Sequence, residues 1–145
     1  MKNTLKTAVV FMLLQITVFA QNKANDIVGY YMSPSGKSIL KIYENNGKYY
    51  GKPVWMKEPD MLDTKNPDPA KRTLKVFGSN AIRDFEFDGK STWTKGFIYD
   101  PNNGKTYDCK ITRDEKGNLN VRGYIGISLI GRTEYFVKVE FKEKN

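Results

Sequence analysis

The sequence predicts an all-β fold, an antiparallel meander of about eight strands closing into a small up-and-down barrel. Three observations predict it. Tyr107, Cys109 and Ile111 alternate with Thr106, Asp108, Lys110 and Thr112, the period of a strand with one dry face and one wet face. Turn signals recur at short intervals, in Ser35-Gly36, Asn45-Asn46-Gly47, Asp88-Gly89, Asn102-Asn103-Gly104, Lys116-Gly117-Asn118 and Ile130-Gly131, where glycine and asparagine tolerate the positive φ of tight hairpins. Finally, a meander of this many strands in a small domain removes its unpaired edges by closing on itself. A twisted open sheet or sandwich is the alternative that loop lengths leave standing.

The first twenty residues are read apart from the fold. Lys2 and Lys6 precede an uncharged apolar run over 8–20, the pattern of a secretory signal peptide. Val18-Phe19-Ala20 suits cleavage before Gln21, and no cysteine follows that junction to take a lipid anchor. A retained membrane helix needs about 20 apolar residues, and Gln15 and Thr17 interrupt a shorter run. The expected mature protein is therefore one β-barrel domain, 21–145, exported to a periplasm or the exterior and not integral to a membrane. That length supports a core without disulfides. The single Cys109 cannot form an internal bridge and reads as an inert buried thiol.

Strands are expected near 26–32, 38–44, 48–56, 81–87, 91–99, 105–113, 118–126 and 132–141. Pro53 within the third predicts an edge or a bulge, because proline donates no ladder hydrogen bond. The one long connection, 57–80, contains Pro59, Pro67 and Pro69. Asp68 before Pro69 predicts an N-cap and a helical turn, and the loop reads equally as a lid across one mouth or as a plug against the wall. In the fifth strand Trp93, Lys95, Phe97 and Tyr99 are expected to share one face. In the last, Tyr135, Val137, Val139 and Phe141 are expected to face inward, with Glu134, Lys138 and Glu140 outside and Phe136 an exposed exception.

Charge and composition narrow the chemistry. Without Lys2 and Lys6, 22 basic residues face 16 acidic ones, a mature charge of +6. The basic residues are interleaved with acids, as in Lys138-Val-Glu-Phe-Lys-Glu143, which describes a solvated face and not a nucleic-acid surface. An anionic polymer or lipid environment fits the excess. There is no histidine, so histidine-based nucleophile systems and imidazole zinc sites are unavailable. Asp60, Asp63 and Asp68 share the long loop and leave a paired-carboxylate hydrolase open in principle. Asp63, Asn66 and Asp68 are weak candidates for calcium, without the spacing of a calcium-binding hand, and turn-capping explains them better. Gly123 to Gly131 and Asn103-Gly104-Lys105-Thr106 lack the full phosphate-loop pattern, so no cofactor is expected.

The string Asp63-Thr-Lys-Asn66-Pro-Asp-Pro, Arg72, Phe77-Gly78, Gly96-Phe-Ile-Tyr-Asp-Pro-Asn-Asn-Gly-Lys-Thr-Tyr107, Val121-Arg-Gly-Tyr-Ile-Gly126 and Gly131-Arg-Thr resembles the exported bacterial family called domain of unknown function 2147. The resemblance spans nearly all of the mature chain. It implies an exported single-domain β-protein akin to the calycin barrels, which include lipocalins and fatty-acid-binding proteins. Gly29-Tyr30-Tyr31 departs from the lipocalin Gly-x-Trp pattern, and Arg132 opens the last strand, where the lipocalin arginine lies near its end.

Three functions follow as expectations. The first is a binding module for a small apolar or amphipathic, anionic ligand, with Trp55, Trp93, Tyr99 and Tyr124 as walls and Arg72, Lys95 or Arg132 meeting the anionic group. The second is an envelope interaction protein whose barrel is filled by its own side chains. The third is the carboxylate hydrolase, acting on envelope polymers.

Overall fold

The computed structural model describes residues 23–127 and 130–144; the predicted signal peptide lies outside them. Strands β1 (Gly29–Met32), β2 (Ser38–Asn45), β3 (Lys48–Met56), β4 (Ile82–Phe87), β5 (Thr92–Asp100), β6 (Lys105–Arg113), β7 (Leu119–Tyr124) and β8 (Gly131–Val139) form a closed antiparallel barrel in chain order. Closure, and not an open sheet, results because β1 pairs with β8 as well as β2. That seam is short: Tyr30, Tyr31 and Met32 meet Val139, Lys138 and Val137. Among the described residues no helix is long and apolar enough to cross a membrane.

One end of the barrel is shut by the chain itself. The first strand starts at Gly29 and not near residue 26, because Asn25–Ile27 forms a 3-10 turn that tucks a fully buried Ile27 beneath the strands. Two inward aromatic side chains hold this turn. The Trp93 indole donates to the Ala24 carbonyl at 3.0 Å, and the Tyr49 hydroxyl donates to Asn25 Oδ1 at 2.8 Å. Trp93 also packs against Phe87 at 4.9 Å between ring centroids and edge-on to Tyr49. Above this plug, Tyr31, Leu40, Ile42, Ile82, Phe85, Cys109, Ile111, Leu119, Val121 and Phe136 complete one continuous core. Burial pushes the Cys109 thiol up to about 12, so it rests as an unreactive thiol inside the sheet.

Pairing corrects two predicted facings. Residues opposite each other in a ladder share a face, and Leu119 and Val121, both buried, pair with Phe136 and Glu134. In β8 it is therefore Phe136 that enters the core, and Tyr135 and Val137 that lie outside, 65% and 52% exposed. Their outer strip continues onto β1, where Met32 pairs with Val137 and Tyr30 tilts against Phe141 at 5.6 Å. In β5 the register shifts between Trp93 and Gly96. Trp93, Gly96 and Ile98 consequently face inward, paired with Ile111, Cys109 and Tyr107, while Phe97 and Tyr99 face outward. Lys95 sits at the shift with φ of 59°, so the predicted common face of Trp93, Lys95, Phe97 and Tyr99 does not exist. The bulge predicted at Pro53 is present, as a shift between Ile39 and Leu40 opposite Trp55 and Pro53.

Gly96 is where the core depends on a missing side chain. A Cβ there would overlap the Phe85 ring, which lies flat across the glycine. Gly96→Ala should therefore destabilise the barrel by about 1–3 kcal/mol, read by urea unfolding, and Phe85→Leu in that background should recover part of the loss. Tyr31 Oη is buried without a hydrogen-bond partner among the described residues, and burial raises its pKa to about 12. An orphan hydroxyl costs about 1–3 kcal/mol of desolvation. Tyr31→Phe should leave the urea midpoint unchanged or raise it; a clear loss would reveal a partner such as an internal water.

Candidate functional site

Among the described residues, the plug closes one end and leaves the mouth at the opposite end. There β3, β5 and β7 finish, and β4, β6 and β8 begin. Following the ladder outward from the buried Cys109 gives the inward face: Cys109 pairs with Gly123, and Gly123 pairs with Arg132. Ile98 and Tyr107 form the adjacent inward pair. These side chains are only half-buried or exposed, in contrast to the closed core below them. Gly123 has its nearest neighbours in Tyr107 Cβ at 3.6 Å and Ile98 Cγ2 at 3.7 Å from where a Cβ would stand. Ile98, Tyr107 and Gly123 thus make a partly exposed aliphatic and aromatic floor at the mouth. Its edge carries Arg132, whose side chain is 86% exposed and pairs with Glu134 at 2.5 Å. Tyr107 Oη accepts from Asn103 Nδ2 at 2.9 Å, which fixes the ring beneath the β5–β6 turn.

The long loop 57–80 forms a strap over the neighbouring arc of this rim. It folds back on itself as a small ladder, with Leu62 opposite Lys75 and hydrogen bonds from Asp63 N to Leu74 O and Val76 N to Met61 O. The predicted turn is present at Pro69–Lys71, where the Asp68 carboxylate accepts from Ala70 N at 3.0 Å and proline opens the turn. Three contacts fasten the strap to the end of β5 and the β5–β6 turn. Tyr99 Oη donates to Asp63 Oδ1 at 2.6 Å, Lys65 Nζ donates to the Asn102 carbonyl at 2.6 Å, and the Lys65 carbonyl lies against Gly104. Gly104 has φ of 72°, and a Cβ there would collide with that carbonyl, so both turn conformation and close approach require glycine. The loop is thus tied along the β3–β6 arc, and the β7–β8 connection follows on the adjoining arc of the rim.

The predicted site residues do not converge. Trp93 belongs to the plug at the closed end, and its indole is satisfied by Ala24. Lys95 projects from the outer wall, where Glu86 meets it at 2.8 Å and draws the Glu86 carboxyl below its ordinary range. A cross-strand acid thus occupies the place expected for a ligand carboxylate. Arg72 donates through Nε to the Asn66 carbonyl at 2.8 Å within the strap. Tyr99 is tied to Asp63, and its pKa rises to about 12 through burial and then through that bond. Trp55 is 39% exposed at the rim end of β3. Tyr124 pairs with Asp108 and Gly131, opposite in facing to Gly123, and so lies on the outside. Of the seven, Arg132 is the one that pairs directly with an inward residue of this floor, Gly123.

The loop acids have separate structural partners. Asp60 is exposed and paired with Lys75, whose hydrogen bond and charge lower its pKa. Asp63 uses one oxygen for Tyr99 and the other for Asn66 Nδ2 at 2.6 Å, and Asn66 Oδ1 accepts from Asp68 N. Asp63, Asn66 and Asp68, the weak metal candidates, thus engage one another and nearby N–H and O–H donors; among the described residues no three His, Cys, Asp or Glu side chains gather as a metal site. The residues that sequence reasoning missed are Ile98, Tyr107, Gly123 and Glu134. The alternation of the sixth strand already puts Tyr107 on its dry face; the β5 shift hides the facing of Ile98, and that of Gly123 and Glu134 lies in the ladder register.

A family model described as "Uncharacterized protein conserved in bacteria (DUF2147)" matches residues 29–138. Among solved structures, one described as "Protein HP1028 from the human pathogen Helicobacter pylori belongs to the lipocalin family" matches with a TM-score of 0.72 at 23% identity, over 79% of this chain and 83% of that one. At that identity the likeness shows the fold, a lipocalin-like barrel. Among curated proteins none matches.

Tyr99→Phe should loosen the strap by removing a hydrogen bond to a carboxylate, a loss of about 1.5–3 kcal/mol, seen as faster amide exchange over 61–76. Tyrosine ionises near 10 in the unfolded chain and Tyr99 near 12 in the fold. Its stabilising share is therefore full below pH 10 and disappears as pH rises from 10 to 12. The variant should lose less stability than the parent across that interval.

Proposed function

The chain belongs to the bacterial family described as "Uncharacterized protein conserved in bacteria (DUF2147)", and from that premise we propose that it is an exported, non-catalytic barrel that binds a small amphipathic ligand at its mouth. The observation that carries the proposal is the unequal finish of the interior. Around and below Val121 the core side chains are buried, whereas above it Ile98, which packs against that core, Tyr107 and Gly123 are only partly buried beneath an exposed cation, Arg132. An aliphatic and aromatic floor with one convergent charge suits a ligand with an apolar body and an anionic group. The ligand lies on this floor and not along the whole barrel axis, since Phe85, Phe136 and Tyr31 occupy the middle. Glu134 gives Arg132 a partner in the empty state, and an anionic ligand group would replace it at the same guanidinium. The signal-peptide pattern supports a periplasmic or extracellular location.

The filled lower barrel also favours a second reading, an envelope interaction protein. On that reading the exposed outer strip of Tyr135 and Val137, and not the mouth floor, makes the functional contact.

Native mass spectrometry of residues 21–145, secreted by an expression host, compared with the same protein after denaturation and refolding, separates the two. The expected result is an extra mass that refolding removes. Arg132→Met should remain folded and retain that ligand at least about tenfold less, the effect of losing one charged hydrogen bond. A bare mass before and after refolding, with no uptake from an added lipid extract, would count against binding at the mouth and for the interaction protein.

A further inference from the structure

The β7–β8 connection differs from the other turns of the barrel. The β2–β3, β4–β5, β5–β6 and β6–β7 turns are built from Asn, Asp, Gly, Lys and Ser, with glutamate and proline, the composition expected where water surrounds a hairpin. Residues 125–130 read Ile-Gly-Ile-Ser-Leu-Ile, without a charge. Ile125, Ile127 and Ile130 are 68%, 59% and 70% exposed. At the same end of the barrel, the strap presents Leu62, Leu74 and Phe77, all exposed. Single exposed apolar residues need no explanation, but this number on two neighbouring connections at one end marks a contact surface.

Charge identifies what that surface meets. At the mouth end Asp60 is paired with Lys75, Asp68 with Lys71 and Glu134 with Arg132, while Asp63 is buried under Tyr99; Glu58 and Asp100, which caps the β5–β6 turn, are outnumbered by Lys37, Lys57 and Lys105, which form no ion pair among the described residues. Lys65 and Arg72 donate to neutral carbonyls and, among the described residues, have no acid partner. Apolar tips flanked by unneutralised cations match the boundary between acyl chains and anionic headgroups, where isoleucine and leucine enter the hydrocarbon and lysine and arginine remain at the phosphate level. A second copy of this chain would bring the same cations face to face and is disfavoured by that repulsion.

We propose that the mouth end docks onto an anionic bilayer surface, with the isoleucines of the β7–β8 connection inserted at the interface and the strap cations against lipid phosphate. The surface turns the mouth toward the membrane, so an amphipathic ligand can pass between lipid and barrel without crossing water. Docking does not require that the mouth be occupied, and it stands or falls separately from the ligand proposal.

The test uses refolded, ligand-free protein and sedimentation with vesicles of phosphatidylglycerol and phosphatidylcholine, against vesicles of phosphatidylcholine alone. Binding is expected on the anionic vesicles, weakened by salt. Ile125→Asp with Ile127→Asp should reduce the partition coefficient at least about tenfold, whereas Val137→Asp, on the outer wall, should leave it unchanged. Circular dichroism checks that the variants fold, as their exposed positions predict. No binding to anionic vesicles would overturn the proposal, as would equal loss in the Val137→Asp control. Concentration-dependent dimerisation without vesicles, abolished by the isoleucine variants, would overturn it in favour of a second copy.

Discussion

The register shift in β5 between Trp93 and Gly96 is the constraint on which both ends of the barrel depend. Below the shift the strand turns Trp93 inward, where it reaches the Ala24 carbonyl and seals the closed end. At the shift, Gly96 makes room for the Phe85 ring at the centre of the core. Above it the facing places Ile98 inside the mouth and Tyr99 outside, where its hydroxyl meets Asp63 and ties down the strap. A regular strand through these nine residues would send Tyr99 to the same side as Trp93 and leave the strap without its anchor. Lys95 takes the positive φ that the shift demands, and Glu86 holds its ammonium against the outer wall.

The strand count, the turns and the closed meander were legible in the sequence because period-two alternation and Gly/Asn turns are local signals. The Asp68-Pro69 turn was legible for the same reason: capping chemistry is written in adjacent residues. The facing of β8 was not. Tyr135, Val137 and Val139 form a wholly apolar set while Phe136 stands among Glu134, Lys138 and Glu140, so alternation alone points to the wrong face, and only pairing with Leu119 and Val121 selects Phe136 for the core. The β5 face was misread because a register shift changes parity without leaving a composition signal. The same error grouped Trp93 and Lys95 with Tyr99 by spacing, while Ile98, from the alternate set of β5, is the residue that faces inward beside Tyr107.

The strings that carry the family resemblance acquire a physical meaning in this arrangement. Asp63, Asn66 and Asp68 cap and cross-link the strap, and Tyr99, Asn102 and Gly104 supply the surface it fastens to. Two separate strings in the sequence are thus the two halves of one joint beside the mouth. Val121, Gly123 and Arg132 line the interior next to that joint, from core to rim. Signature residues therefore concentrate at the open end, and the closed end is held by Trp93, Tyr49 and the 3-10 turn.

The central claim is that the protein's chemistry resides at the mouth and not in the packed barrel below it. Chemical-shift mapping of the labelled mature chain during titration with a single-chain anionic amphiphile below its micelle concentration tests this most directly. The account predicts saturable shifts at Ile98, Tyr107, Gly123 and Arg132, with Trp93 and Ile111 unmoved. Saturable shifts centred on Trp93 and the plug, or none at the four mouth residues, would contradict it.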